Sequence, residues 1–206
     1  MTEAKELARW NGRFADPDSY VFGTAPNAFL AAQRHRLRAG QAALAIADGE
    51  GRNGVWLAEQ GLDVLSVDFS PVGLAKAGRL AESRHVALRT ETADLATWEW
   101  GAARFDVVAA IFIQFAAPAF RQAIFRHIRE VLRPGGLVIL QGYRPEQLAY
   151  RTGGPSQAEN MYTAALLREA FAGFEILHLA EHDDVLAEGE GHGGMSALID
   201  LVARKP

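Results

Sequence analysis

The stretch from Ala45 to Gly61, AIADGEGRNGVWLAEQG, sets Gly49, Gly51 and Gly54 in a G-x-G-x-x-G spacing. A loop of that composition between a strand and a helix lets a ligand approach the backbone, and its usual guest is a pyrophosphate. Two carboxylates, Asp48 and Glu50, stand in the same loop. A pyrophosphate calls for amide donors and a positive helix end with no anion close by. At ~4 Å a like-charge contact costs about 1 to 4 kcal/mol at surface-like dielectric. A third acid, Asp68, follows further along the chain, at the distance where an acid accepts hydrogen bonds from ribose hydroxyls.

Charge separates the candidate ligands. One that carries adenosine, a ribose diol, an ammonium and a sulfonium, and no phosphate, suits the glycines, Asp68 and the two loop acids together. S-adenosylmethionine (SAM) has that composition.

The elements that must hold these residues alternate. Ala42–Ala47 is a short apolar run that ends at glycines and reads as a buried strand. Arg52–Gln60 is helix-like and Gly61 stops it. Leu62–Ser70 is a second strand with Asp68 at its edge, and Ser70-Pro71 opens the next helix as N-cap and first helical residue. HVALRTETADL holds a third strand, and RFDVVAAIFIQF a fourth, apolar on both faces from Val107 to Ile113 as in a covered parallel sheet. A helix from Pro118 to Leu132, a sharp turn at Arg133–Gly136 and a fifth strand LVILQGY follow. After a helix at Thr163–Phe171, FEILHLAEH and SALIDLVARK form a final antiparallel pair separated by a long acidic, glycine-rich loop.

The expected fold is therefore α/β: a single-domain, doubly wound, mostly parallel seven-stranded sheet with an antiparallel C-terminal hairpin. One domain is expected over 1–206, with a helical lid segment over 1–35 and the sheet core over 42–206.

Composition bounds the rest. With 206 residues, 49% hydrophobic and 22% charged, the chain can build one full-sized core. A net charge of -4 offers no basic footprint for nucleic acid. The absence of cysteine excludes disulfides, thiolate metal sites and a cysteine nucleophile, and fits a reducing compartment. The N-terminus MTEAKELARWNGRF lacks an apolar signal core. The longest apolar stretch, Val107–Phe120, is interrupted by Gln114 and Pro118 and is too short to span a bilayer. A cytoplasmic location is expected, with a small-molecule partner, neither nucleic acid nor membrane, and a monomer or homodimer.

The chain resembles the class I SAM-dependent methyltransferases over about residues 10–205. The DGEGRNG loop, VDFSPVGLAKA, ADL, FDVVAAIF and LRPGGLVIL stand in that family's order, with RPGG before the fifth strand a common marker. WNGRFADPDSYVFGTAPNAFL is similar to the start of the tellurite-resistance and thiopurine-type branch, where it serves as a lid over the cofactor. One departure is visible: the family's acid and glycine are replaced by Ala45 and Ala47, and the first carboxylate is Asp48. The hypothesis drawn from this is that Asp48 bonds the methionine ammonium from a shifted position. An Asp48→Ala variant that binds SAM as well as wild type would refute it.

The resemblance implies SAM as cofactor, S-adenosylhomocysteine as its product, and a small-molecule methyl acceptor. It implies cofactor contacts from Tyr20 and Gly23 of the lid and from Ala47, Asp48, Gly49, Glu50, Gly51, Arg52 and Asn53 of the loop. Asp68 would take the ribose hydroxyls, Phe69 would pack on adenine beside Ser70, and Asp94 would accept from the adenine amino group between Ala93 and Leu95. Ile111, Phe112 and Ile113 would line the methionine and sulfonium side.

No catalytic residue follows from spacing. The candidates near the expected carboxyl edge are Tyr20, Gln114, Tyr143 and Arg144, with His192 in the tail. Arg144 and Arg151 have the fork geometry to grip an anion. Ala180–Gly194 holds His182, Asp183, Asp184, Glu188, Glu190 and His192, but their spacing matches no metal signature, so a flexible loop closing on substrate is expected and no metal. His35, His85, His127 and His178 carry no spacing signal, and Ala31–Gly40 reads as a basic helix face. Two alternatives stay open: a SAM-binding protein without catalysis, and an NAD(P)-linked reductase, against which stand the loop acids and the lack of a Tyr-x-x-x-Lys pair.

Overall fold

The computed structural model describes residues 3–189 and 191–206. The helices are α1 (Glu3–Arg13), α2 (Ala28–Ala32), α3 (Arg52–Glu59), α4 (Pro71–Ser83), α5 (Pro118–Val131), α6 (Gln147–Tyr150) and α7 (Ala164–Ala170). The strands are β1 (Ala42–Ile46), β2 (Asp63–Asp68), β3 (Arg89–Thr92), β4 (Phe105–Ile111), β5 (Leu132–Tyr143), β6 (Glu175–Glu188) and β7 (His192–Arg204). They form a seven-stranded mixed sheet in the order β3-β2-β1-β4-β5-β7-β6.

The chain divides into two compact units, Met1–Trp98 with Glu188–Gly191, and Glu99–Ala187 with His192–Pro206. In the first, β1 pairs parallel with β2 from Ala42↔Asp63 to Ile46↔Val67, and β2 pairs parallel with β3 up to Asp68↔Thr92. This register brings the ends of β1 and β2 level and puts Asp68 beside the loop that leaves Ile46. Ser70 caps α4 by accepting from the Gly73 amide at 3.1 Å, and Pro71 fits the first turn, where its missing N–H is not needed.

In the second unit, β4 pairs parallel with β5, and β5 pairs antiparallel with β7 from Leu137↔Arg204 to Tyr143↔Leu198. Val107, Val108, Val138, Ile139 and Leu140 are fully buried, as the two-faced apolar reading of these strands required.

Three local expectations change. RPGG is not a turn ahead of β5 but a distortion inside it: Phe105 pairs with Leu132, the register then shifts, and Val107 pairs with Leu137. Gly135 absorbs the kink at φ 78. The long acidic loop expected before the last strand is instead strand, because β6 runs to Glu188 and β7 starts at His192. Leu186 is buried between the exposed Val185 and Ala187, as in a strand with one covered face, so glycine content alone misled the reading. Finally, Ala31–Gly40 is not one basic helix: α2 gives way to a 3-10 turn at Gln33–Arg36.

Candidate functional site

The loop after β1 turns through three left-handed residues, Ala47 at φ 49, Gly49 at φ 57 and Gly51 at φ 86. Gly51 is required twice over, since a Cβ there would collide with Ala77 of α4. At Gly49 a Cβ would crowd the ring of Phe14 at 3.2 Å. Asp68 ties this loop to the next one. Its Oδ2 accepts from the Gly49 amide and its Oδ1 from the Ser70 amide, both at 2.8 Å. Burial pushes the Asp68 carboxyl up, against the pull of these hydrogen bonds.

The two loop acids have separate partners. Asp48 turns its carboxylate inward, accepting from Ser66 Oγ at 2.8 Å and the Gly54 amide at 3.1 Å. A Cβ on Gly54 would strike that carboxylate, so the third glycine of the motif is needed for Asp48. Burial pushes the Asp48 carboxyl up to about 7, with Ser66 and Gly54 pulling the other way. Glu50 forms an ion pair with Lys76 of α4 and accepts from the Val21 amide at 2.8 Å. The expectation that both acids face a ligand's cations therefore meets a different arrangement, in which Glu50 is neutralised within the protein.

Lys76 explains how the N-terminal segment is held. It donates to the carbonyls of Asp16 (2.8 Å) and Ser19, and its ammonium lies 4.9 Å from the centre of the Tyr20 ring. Tyr20 returns a hydrogen bond to the Lys76 carbonyl at 3.2 Å, and burial pushes its hydroxyl up. Phe14, buried between Trp10 and Phe22 with ring centroids at 5.5 and 6.5 Å, covers Gly49. Arg13, Ser19, Tyr20, Val21 and Gly189 line a cleft of about 440 Å³ beside this strap.

Arg52 opens α3 with its guanidinium buried, its Nη2 donating to Glu188 at 2.6 Å. Its Nη1 is buried with no partner among the described residues. Asn53 accepts from the Asn27 amide at 2.9 Å. Gly23 takes φ 69 and packs against the backbone of Gly189.

The remaining sequence candidates fall as follows. Phe69 is half-buried, and the Ala93 amide donates to the Asp68 carbonyl at 2.9 Å. Asp94 accepts from the Ala96 amide at 2.9 Å, and Leu95 is buried. In the second unit, Ile111 and Ile113 are buried and Phe112, at φ 53, stacks on Tyr143 with centroids at 4.8 Å. Gln114 is committed to backbone: its amide donates to the Tyr143 carbonyl at 2.8 Å and accepts from the Tyr143 amide at 2.6 Å. Arg144 pairs with Asp183 and with Glu146 at 3.5 Å, rather than standing ready for an anion. Arg151 ends α6 in a left-handed conformation. His182 bonds the buried Asp200 at 2.8 Å, and Asp200 also accepts from Gln141 at 2.7 Å. His192 opens β7, but its side chain and all of Glu190 lie outside the described residues. Among the described residues no group of three or more metal-ligating side chains is gathered.

Sequence reasoning missed Lys76, Phe14 and Asn27. Lys76 left a signal: Gly73, Lys76, Ala77 and Leu80 share one apolar helical stripe, and a lysine within such a stripe needs a buried partner. Phe14 and Asn27 left none, because their partners come from distant loops. A groove of about 1,020 Å³, lined by Arg121, Phe125, Arg129, Leu166, Phe174 and Lys205 among others, holds none of the sequence candidates.

Residues 43–136, which contain the glycine loop and Asp68, match the family model described as a methyltransferase domain. No curated protein matches the chain. Among solved structures, the fold recurs in one described as the conversion of a disulfide bond into a thioacetal group during echinomycin biosynthesis, with TM-score 0.76, 20% identity, and coverage of 97% of this chain and 93% of that one. TehB from Haemophilus influenzae has TM-score 0.73 and 18% identity, covering 89% of this chain and 64% of its own. Magnesium protoporphyrin IX methyltransferase from Synechocystis PCC 6803, with bound S-adenosylhomocysteine, has TM-score 0.73 and 16% identity, covering 99% of both chains.

Two features here would suit SAM: Asp68 sits where two strand ends meet, and a buried guanidinium nitrogen of Arg52 stands without an acceptor among the described residues.

Proposed function

We propose that the protein transfers a methyl group from SAM to a small-molecule acceptor whose nucleophile is soft, a thiol, selenol or metalloid. The observation that carries the cofactor half of this reading is Asp68, a carboxylate tied to both the Gly49 and Ser70 amides at the carboxyl ends of β1 and β2, which is the ligand-binding edge of an open α/β sheet.

When bound, SAM supplies a methyl already bonded to a sulfonium leaving group. The protein's own residues bind and enclose. Asp68 would hold the ribose hydroxyls, Phe69 the adenine face, and Asp94 the adenine amino group, while Phe14 and the strap at 14–28 exclude water. Of the candidate catalytic residues, Gln114 is spent on the Tyr143 backbone and Arg144 on two acids. Neither an amide nor a guanidinium serves as a general base, which suits an acceptor needing little help with its proton. The likeness to a protein that acts on a disulfide during echinomycin biosynthesis supports a sulfur acceptor. A cytoplasmic location and a monomer or homodimer complete the proposal; among the described residues no helix is long and apolar enough to cross a membrane.

A second reading has one observation in its favour. Ala45 is apolar and buried, and Asp48 is occupied by Ser66 and Gly54, so the first strand offers no evident acid to a methionine ammonium. A SAM-binding protein without turnover would show that pattern. Calorimetric titration with SAM, S-adenosylhomocysteine and NADH tests the cofactor: micromolar binding of the first two, weakened by Asp68→Ala, is expected, and binding of NADH alone would overturn the proposal. Release of S-adenosylhomocysteine in the presence of cell extract then separates the enzyme from the silent binder.

A further inference from the structure

We infer that Glu188, at the end of β6, is a positioning residue for cofactor binding. It holds the Arg52 guanidinium with one oxygen, so that the second guanidinium nitrogen receives the carboxylate of the cofactor's amino-acid end, while its other oxygen is anchored by Asn27 and Ala28. The inference rests on the SAM reading above.

Glu188 stands 136 residues after Arg52, yet its Oε2 accepts from Arg52 Nη2 at 2.6 Å. Its Oε1 accepts from Asn27 Nδ2 at 2.9 Å and from the Ala28 amide at 3.3 Å. Asn27 in turn caps α2 by accepting from the Leu30 amide at 3.0 Å and donates its own amide to Asn53. One carboxylate thus ties together the strap and the first turn of α3.

The pair is buried, with side-chain exposures of 7% for Arg52 and 10% for Glu188. A buried guanidinium is tolerated when every nitrogen finds an acceptor. Here Nη1 has none among the described residues. It sits at the first residue of α3, directly after Gly51, where the helix end also favours an anion. Glu188 occupies one edge of the fork and fixes its plane, which leaves the other edge for a second carboxylate. Of the groups in SAM, only the α-carboxylate is an anion. Removal of Glu188 releases the guanidinium from its fixed plane, so carboxylate recognition weakens.

Two ligands isolate the effect. S-adenosylhomocysteine carries the α-carboxylate, and 5′-methylthioadenosine lacks the whole amino-acid end. Calorimetry on the full chain would compare wild type, Glu188→Gln, Glu188→Ala, Arg52→Ala and the double variant, each checked for folding by circular dichroism. Glu188→Gln keeps the shape should Glu188→Ala fail to fold. Both Glu188 variants are expected to lose about 10- to 100-fold in S-adenosylhomocysteine affinity, the size of a charge-assisted hydrogen bond, and to keep 5′-methylthioadenosine within about 2-fold. The double variant is expected to bind no worse than Arg52→Ala, because Glu188 acts through Arg52. Equal losses for both ligands, or none, would overturn the inference while leaving the SAM reading intact. A wild-type protein that binds neither ligand would overturn both.

Discussion

Lys76 and Glu50 form an ion pair with only 1% and 3% of their side chains exposed, and between them they hold Asp16, Ser19 and Val21. Removing one partner of such a pair leaves an uncompensated buried charge, which costs about 3 to 5 kcal/mol. Lys76→Met and Glu50→Gln are therefore expected to lower stability by that order in denaturant melts, and to speed proteolysis within 14–21. The Lys76→Met/Glu50→Leu double variant should recover part of the loss. Single variants as stable as wild type would show that the pair is not what anchors the strap.

Asp48 makes stability depend on pH. A carboxylate in the unfolded chain titrates near ~3.9, whereas that of Asp48 is pushed up to about 7 in the fold. The folded state keeps the proton longer. Its contribution is fully present below the unfolded value and is lost as pH rises through the folded one. Asp48→Asn should therefore gain stability relative to wild type as pH climbs from about 4 to about 7. A difference in Tm that stays constant across that window would refute this.

Ala47 holds φ 49 without being glycine. A left-handed alanine costs about 1 to 2 kcal/mol, offset in part by the greater unfolded-chain freedom of glycine. Ala47→Gly is expected to raise stability by up to about 1 kcal/mol by that balance. A destabilised variant would show that the loop's hydrogen bonds, not the strain, dominate there.

Tyr162 is fully buried, and its hydroxyl has no partner among the described residues. Burial pushes that hydroxyl's titration up, with Arg121 pulling the other way. An unsatisfied buried hydroxyl costs about 1 to 3 kcal/mol, so Tyr162→Phe should leave stability unchanged or raise it. A loss above ~1 kcal/mol by chemical denaturation would mean that the hydroxyl is satisfied in solution.

The fold was legible where one segment settles its own structure. The apolar runs of β1, β4 and β5, the Ser70-Pro71 helix start and the two loop glycines all depend on neighbours in sequence, and the structure has them. What could not be read was which acid meets which base. The loop acids looked like a ligand's counter-charges because the sequence does not bring Lys76 beside Glu50 or Ser66 beside Asp48. Glycine richness was likewise ambiguous: it marks a left-handed turn at Gly51 and the tight tip between β6 and β7 at Gly189, yet at Gly135 it only bends a strand.

The partners of Glu188 are 136 and 161 residues away along the chain. While the polypeptide is being made, α2 and α3 emerge long before the carboxylate that joins them. Loop-closure entropy sets the order: β1, β2 and the helix between them, α3, can assemble early, and the strap can be fastened only once β6 has been made. Until then Arg52 has no counter-ion, and burying it is unfavourable. The strap and the first turn of α3 are therefore joined only after β6 has been made.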